Sequence, residues 1–373
     1  MKRLKVLCVL PSLNLCGGIE SFAMNYYRNL DDDICMDFIT HNCHDNELYD
    51  EIISKGNSVT VLPVFNLKNY RTCLKEIDKF FSAHPDYDII HCHMANGACF
   101  YFKSAKKYGN PLLIIHSHQD NYADTALHAL RNIPLIKKGI RLATHRAACT
   151  TQAGDFLFGK KTYKTITNAI EPAHYIFDEA LRDQVRSSLM LPKDGILLGT
   201  VGRLTEQKNP LFLLEILTYL PKNYHLMYVG EGHLTEAVQS KAESLELSDR
   251  VHMVGSVSVV SPYFSAMDIF ILPSLYEGLG IVNIEAQASG LPTIVSDKVP
   301  SDANMGELFT SIPLSSPAKE WADRIKKISS GINPEATHNR KDKKWCDAIT
   351  NNGYDIKKEA KTLADYYRNI KEE

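Results

Sequence analysis

The chain has 373 residues, too many for one ordinary hydrophobic core, so two domains are expected. Its 44% hydrophobic and 23% charged content is typical of a soluble globular protein, and a formal charge of −2 argues against a general binder of polyanions such as nucleic acid. Nine cysteines without a C-x-x-C pair predict reduced cytosolic thiols. No apolar run reaches the length of about 18 residues that would predict a membrane span.

The first strand is predicted over Leu4–Leu10, an apolar run of the kind that parallel sheets bury. Basic residues precede it, as in a secretory leader, but the run is too short and lacks a small-residue cleavage site, so a strand is the better interpretation. Gly17 and Gly18 then precede a helix that begins near Ile19. They fit either an ordinary turn or a cradle in which backbone N–H groups approach a phosphate or sugar.

Two further predicted strands end in paired histidines, His91 with His93 and His116 with His118. The two-residue period of a strand places each pair on one face, so four imidazoles meet if the strands are neighbours. Three interpretations remain: a zinc site, rings that hydrogen-bond within the core, and contact with substrate. Substrate contact is favoured because ligands bind at the carboxyl ends of parallel strands, and no metal is predicted.

The stretch from Lys103 to Lys164 is basic, with eleven Lys or Arg residues against three acids. Its centre, residues 126–148, mixes apolar residues with five cations. Such a segment fits an amphipathic helix packed on the sheet, or a helix that lies on an anionic membrane surface.

The second domain is predicted to open with the strand Ile196–Val201, after a charged connector over residues 173–193. Arg203 and Lys208 follow that strand. They are either exposed loop cations or a pair that neutralises a diphosphate, with Arg as a bidentate fork and Lys as a point charge. Gly230 and Gly232 follow the next strand, and this Gly-x-Gly pair alone is too weak to indicate dinucleotide binding.

A later unit reads as strand, turn, helix and strand between residues 268 and 297. Glu277 lies in its loop and Glu285 in its helix. In one interpretation, Glu277 is a solvated loop residue and Glu285 is an acid that complements the helix dipole. In the other, the two carboxylates accept hydrogen bonds from different hydroxyls of one ligand. A charged run over residues 335–344 is expected to be solvated, and a last helix is expected over Tyr354–Ile370.

Three motifs in this order resemble the retaining glycosyltransferases of family 4: GGIE, GRLTEQKNP and the E-x7-E signature in EGLGIVNIEAQASGLP. The HSHQ, ATHRAACTTQAGDFLFG and GYDI segments are most similar to bacterial capsule and exopolysaccharide enzymes. The resemblance implies the GT-B architecture, in which two Rossmann-like, doubly wound parallel-sheet α/β domains flank a cleft. The implied domains are residues 1–172 with the returning helix 354–371, and residues 193–353.

The resemblance also implies the site. The residues expected at the transfer centre are His118, Glu277, Arg203 and Lys208. The residues expected to bind substrates are Gly17, Gly18, Glu20, His116, Gly230, Gly232, Gly278, Leu279, Gly280 and Glu285. Arg203, Lys208 and the backbone near Gly278–Gly280 would hold the donor diphosphate without a metal or other cofactor, Glu277 the sugar hydroxyls and Glu285 the ribose. His118 would lie over the anomeric centre, with His116 as the alternative.

The implied reaction transfers a hexose-type sugar, with retention, from a nucleotide diphosphate sugar to a saccharide acceptor, which we expect to be lipid-linked. The protein is then cytoplasmic, with peripheral contact to the inner face of the cell membrane and a role in surface polysaccharide synthesis. Two alternatives remain at this stage. A nucleotide-sugar epimerase of related architecture would turn over the donor without an acceptor, and a non-catalytic subunit of a transferase would only bind it.

Overall fold

A computed structural model describes residues 3–14, 18–43, 46–65, 68–118, 122, 126–332, 337 and 339–372. The chain divides into two compact units. The first comprises Met1–Ala169 and Ile356–Glu373, and the second comprises Ile170–Asp355. Gly17, one of the predicted cradle residues, lies outside the described residues.

The first unit is built on a parallel sheet with strand order β3-β2-β1-β4-β5-β6-β7. Its strands are β1 (Leu4–Val9), β2 (Ile34–Thr40), β3 (Val59–Val61), β4 (Ile89–Cys92), β5 (Leu112–Ser117), β6 (His145–Ala148) and β7 (Lys164–Thr165). Its helices up to this point are α1 (Gly18–Asn29), α2 (Asn46–Ser54), α3 (Tyr70–Ala83), α4 (Ala98–Tyr108), α5 (Ala126–Leu142) and α6 (Thr151–Phe158). The central strands are mostly apolar and buried because helices cover both faces of the sheet.

The second unit repeats this plan, with strand order β10-β9-β8-β11-β12-β13 and parallel pairing between each two neighbouring strands. Its strands are β8 (Ile196–Val201), β9 (Tyr224–Val229), β10 (Val251–Gly255), β11 (Ile269–Leu272), β12 (Thr293–Ser296) and β13 (Phe309–Ile312). Its helices are α7 (Glu179–Ser188), α8 (Pro210–Thr218), α9 (Thr235–Ser244), α10 (Ser261–Ala266), α11 (Ile281–Ala288), α12 (Ala318–Ser329) and α13 (Lys344–Asn351). Short 3₁₀ helices cover Pro172–Tyr175, Glu206–Lys208, Ser248–Arg250, Ser301–Ala303 and Asn339–Lys341. The predicted class, two doubly wound parallel-sheet α/β domains, is confirmed.

The terminal helix α14 (Ile356–Glu372) belongs to the first unit. Its buried face includes Leu363 and Tyr367, which join the same core cluster as strand β1. The boundaries differ from the predicted ones by a few residues. Residues 170–172 and the whole predicted connector lie in the second unit, because Ile170 forms a parallel bridge with Asp355 and α7 packs on α10.

The mixed composition of residues 126–148 suggested one amphipathic helix, but the helix covers only part of this segment. Helix α5 ends at Leu142, and the chain then enters strand β6, where Ala147 and Ala148 are buried. Ile136 and Ile140 turn into the core, so the helix has a packed apolar face and an outer face that carries the cations. Among the described helices, none is long and apolar enough to cross a membrane.

Candidate functional site

The residues predicted to hold the donor diphosphate and sugar lie on two loops at the carboxyl edge of the second sheet. One loop follows β8 and the other follows β11, and these strands are neighbours in the sheet. The chain leaves β8 toward β9 on one side and leaves β11 toward β12 on the other, so the strand order reverses between them. Such a switch point is where open parallel sheets bind ligands, because the diverging connections leave a crevice there.

Lys208 and Glu277 meet across this switch point. Lys208 Nζ lies 2.6 Å from Glu277 Oε1, and Ser274 Oγ donates to the same oxygen at 2.6 Å. Glu277 is only 5% exposed, so the ammonium and the hydroxyl compensate a carboxylate that water hardly reaches. A ligand that takes the Lys208 ammonium would release the Glu277 oxygen for other donors.

The two loops are also joined through their backbones. Leu275 N donates to Gln207 O at 2.8 Å, and Gln207 Nε2 donates to Tyr276 O at 3.1 Å. Arg203 lies on the β8 loop, is exposed, and has no acidic partner among the described residues. The switch point therefore holds one cation fixed by a buried carboxylate and one that remains available.

Helix α11 begins directly after the second loop. Gly280 caps it with φ of 74°, a left-handed conformation that favours glycine, so that the first N–H groups of the helix face the loop. Leu279 was predicted to bind substrate, but its side chain is buried in the core at 3% exposure, so only its backbone can reach a ligand. Gly278 is partly exposed beside it.

Glu285 lies inside α11, in its second turn, which removes the interpretation as a first-turn acid. Tyr175 Oη donates to Glu285 Oε1 at 2.8 Å. Burial of the carboxyl group raises the pKa of Glu285 to about 7, and the hydrogen bond from Tyr175 acts in the opposite direction. Tyr175 was missed in the sequence because it lies in the charged connector, where no periodic pattern marks it.

Gly230 and Gly232 support the β8 loop through close backbone approach. A Cβ atom at Gly230 would lie 2.2 Å from Gly202 O, and one at Gly232 would lie 2.3 Å from Leu204 O. Leu204 N also donates to Glu231 O at 3.1 Å. These glycines therefore have a structural reason to be present, independent of any contact with a nucleotide.

In the first unit, the four histidines gather at the carboxyl ends of β4 and β5. His91 Nε2 lies 2.9 Å from His116 Nδ1, and His93 Nδ1 lies 2.8 Å from His118 Nε2. Phe22 covers three of the rings. Burial lowers the pKa of His91 to about 3 and lowers the pKa values of His93 and His116 well below their ordinary range, so these three rings are neutral. The pKa of the partly exposed His118 is lowered in the same direction.

In the predicted glycine cradle of the first unit, Gly18, unlike Gly230 and Gly232, is not explained by close packing. Gly18 is the first residue of α1, and a Cβ atom there would meet nothing within 4 Å, so packing does not require glycine. Glu20 is buried and accepts a hydrogen bond from Ser12 Oγ, which ties the loop after β1 to the helix. Of the predicted first-unit residues, His118 is partly exposed and His116 is buried.

Comparison with known proteins defines the class. Residues 182–343 match the family model of glycosyl transferases group 1. The chain is 29% identical over 377 residues to EpsF of Bacillus subtilis (strain 168), which is named as a glycosyltransferase, with 97% of this chain and 96% of that protein covered. It is 26% identical over 227 residues to an Escherichia coli UDP-Gal:alpha-D-GlcNAc-diphosphoundecaprenol alpha-1,3-galactosyltransferase, covering 57% of this chain and 58% of that protein.

The fold agrees. Anabaena HepE, solved in complex with UDP and glucose, superposes with a TM-score of 0.80 at 16% identity, covering 98% of this chain and 99% of that one. WaaG, a glycosyltransferase involved in lipopolysaccharide biosynthesis, superposes with a TM-score of 0.71 at 17% identity over 97% of this chain and 99% of that one. The chain has the fold of GT-B glycosyltransferases. It is a glycosyltransferase whose second unit carries the group 1 domain.

Proposed function

We propose that the protein is a retaining glycosyltransferase that moves a hexose from a nucleotide diphosphate sugar to a lipid-linked saccharide during surface polysaccharide synthesis. The observation that carries the proposal is the buried Lys208–Glu277 pair at the switch point of the second sheet. It places a cation for phosphate and a carboxylate for hydroxyls within one hydrogen bond of each other.

The donor would bind in three parts. Its diphosphate takes Lys208 Nζ, the free Arg203 guanidinium and the N–H groups at the start of α11, whose dipole also favours negative charge. Glu277, released from Lys208, accepts hydrogen bonds from sugar hydroxyls while Ser274 keeps it oriented. Glu285 accepts hydrogen bonds from the ribose hydroxyls, held by Tyr175. HepE, which binds UDP and glucose, and the E. coli relative, named for UDP-Gal, support a nucleotide hexose as donor.

In this proposal the acceptor attacks the anomeric carbon on the face from which the leaving group departs, so the anomeric configuration is retained. The bond between the anomeric carbon and the β-phosphate oxygen breaks, the acceptor oxygen bonds to that carbon, and the acceptor proton passes to the departing phosphate. His118 would contact the sugar with the Nδ1 edge, because Nε2 is engaged by His93. Arg203 and Lys208 stabilise the charge that develops on the diphosphate.

The lipid-linked acceptor has support from a basic cavity in the first unit. Lys137, Arg141, Arg146 and Lys161 line a cavity of about 450 Å³ together with apolar residues of α5 and α6, and no acid lines it. No ion pair of these four cations occurs within the described residues. Cations around an apolar wall suit the anionic head groups of a membrane surface. The E. coli relative is named for a diphosphoundecaprenol-linked acceptor.

The test is transfer from UDP-glucose and UDP-galactose to a diphosphoundecaprenol-linked saccharide, with the anomeric configuration of the product read by NMR. A product that keeps the α-configuration of the donor supports the proposal, and a β-linked product refutes retention. Conversion of the donor without acceptor would indicate an epimerase. Binding that raises thermal stability, without any turnover across a panel of donors and acceptors, would indicate a subunit that only binds.

Donor affinity should depend on pH through Glu285. The ionised carboxylate accepts two hydroxyls, and its pKa is raised to about 7, so affinity for UDP-glucose should rise between pH 6 and 8 as the group loses its proton. UDP-glucose is the right probe because both of its phosphates are diesters that stay ionised there. Titration calorimetry should show a flat profile for Glu285→Gln. In Tyr175→Phe the midpoint should move to higher pH, because a hydrogen bond that lowers the pKa is lost; an unchanged profile in both variants contradicts the assignment.

Transfer should persist in EDTA. Arg203 and Lys208 supply the charge that a divalent ion would otherwise bring to the diphosphate. The measurement is the initial rate after dialysis against EDTA, with and without added Mg²⁺ or Mn²⁺. Complete loss of the rate that only a divalent ion restores would refute this arrangement.

A further inference from the structure

The histidine cluster of the first unit has four imidazole rings, and the proposed transfer uses only that of His118. Only His118 is partly exposed, whereas His91, His93 and His116 are at most 5% exposed. Parallel pairing of β4 with β5 brings the two histidine pairs side by side, and the rings stack, with His91 and His93 centroids 4.3 Å apart. Three buried rings therefore stand behind the one that could meet a sugar.

The nitrogen atoms of these three rings converge. One ring nitrogen from each of His91, His93 and His116 lies within 4.8 Å of the other two. His116 Nε2 is buried and has no hydrogen-bond partner. A buried nitrogen without a partner is unfavourable, and a bound ion is one of the ways in which proteins satisfy such an atom.

Tyr367 on α14 completes the arrangement around His91. Tyr367 Oη lies 2.6 Å from His91 Nδ1, and both groups are buried. When His91 donates its Nδ1–H to Tyr367, its Nε2 lone pair accepts from His116 Nδ1 at 2.9 Å, and an ion bound to both rings would replace that hydrogen bond. Metal-binding histidines are commonly held this way, with the outer nitrogen donating to an oxygen that fixes the tautomer.

We propose that His91, His93 and His116 form a binding site for a divalent transition-metal ion that prefers imidazole, of which Zn²⁺ is the probe. Three neutral nitrogens and one open position match a three-ligand zinc site. A hydroxide in the open position reduces the net charge that the buried site must hold. Partly exposed His118, 2.8 Å from His93, marks the side from which the ion and its water arrive. The bound ion joins β4 to β5 and stabilises the first unit.

The first experiment uses the EDTA-treated full chain, reduced and free of chelator. Calorimetry with ZnCl₂ should give one ion per chain, and the thermal midpoint should rise with zinc and fall again with EDTA. The chain has nine cysteines, which are the competing ligands. Co²⁺ distinguishes the two cases, since thiolate ligands give a near-ultraviolet charge-transfer band that imidazole ligands do not give. No binding, or a thiolate band, overturns the proposal.

The second experiment uses variants. His116→Gln should abolish stoichiometric zinc binding. Tyr367→Phe keeps the shape of the core and should weaken binding by about 10–100-fold, because only the outer hydrogen bond is lost. The matched control is His225→Gln, from the His225–His252 pair of the second unit, whose ring nitrogens lie 3.1 Å apart; it should leave binding unchanged. Equal zinc affinity in Tyr367→Phe and the unmodified chain, or loss of binding only in His225→Gln, refutes the site.

Discussion

Lys208→Met is expected to lower kcat/KM for transfer by about 10²–10³-fold. Methionine keeps the length of the side chain but removes the ammonium that lies 2.6 Å from Glu277 and that we assign to the diphosphate. Two effects add: the leaving phosphates lose a preorganised cation, and Glu277 is left buried without its partner. The measurement is steady-state transfer from UDP-glucose, together with donor affinity by calorimetry.

Further variants separate these effects. In Lys208→Met combined with Glu277→Gln, no unpaired carboxylate remains, so stability should recover while transfer stays low. Lys241→Met removes the exposed Lys241–Glu215 pair and should leave transfer unchanged. Arg203→Lys keeps the charge but loses the two-pronged fork, so it should be less damaging than Arg203→Ala. Near-normal turnover in both Lys208→Met and Arg203→Ala would remove the diphosphate assignment.

The strands and the switch-point loops could be predicted from the sequence because strands buried in a parallel sheet are short, nearly continuous apolar runs. Residues 196–201 and 269–272 are such runs, and glycine and proline mark where each one stops. The fold class follows from these local signals. Which strands are neighbours does not, and the adjacency of β8 and β11 is what brings the two loops together.

Pairwise contacts of the site could not be predicted in the same way. Lys208 and Glu277 are far apart in the chain, and a cation and an acid on separate loops have no pattern that predicts a bond. Tyr175 reaches Glu285 from a 3₁₀ turn with no periodicity. The histidine register, by contrast, followed from strand geometry: His91 and His93 do lie on one face, as do His116 and His118, because side chains alternate along a strand.

Arg340 is the clearest case in which a prediction from composition was wrong. The charged run over residues 335–344 predicted a solvated segment, yet Arg340 is only 8% exposed. Its guanidinium donates to Met267 O at 2.8 Å, Phe264 O at 2.9 Å and Ser289 O at 3.1 Å. These carbonyls lie at the ends of α10 and α11, where helices leave carbonyls without partners and carry partial negative charge. Burial lowers the pKa of Arg340 to about 9, so the group stays charged at neutral pH.

Arg340→Met should therefore destabilise the second unit by about 3 kcal/mol or more, because several buried carbonyls lose their donor at once. Both tryptophans of the chain, Trp321 and Trp345, lie in the second unit, so tryptophan fluorescence during urea unfolding reports on this unit selectively. Lys341→Met is the matched control, since it removes only the exposed pair with Glu179 and should cost less than about 1 kcal/mol. Because α11 carries Glu285 and its N-terminus faces the donor loop, Arg340→Met should also weaken UDP-glucose binding below the unfolding transition. Equal unfolding free energies for the two variants would show that the guanidinium does not hold the helix ends together.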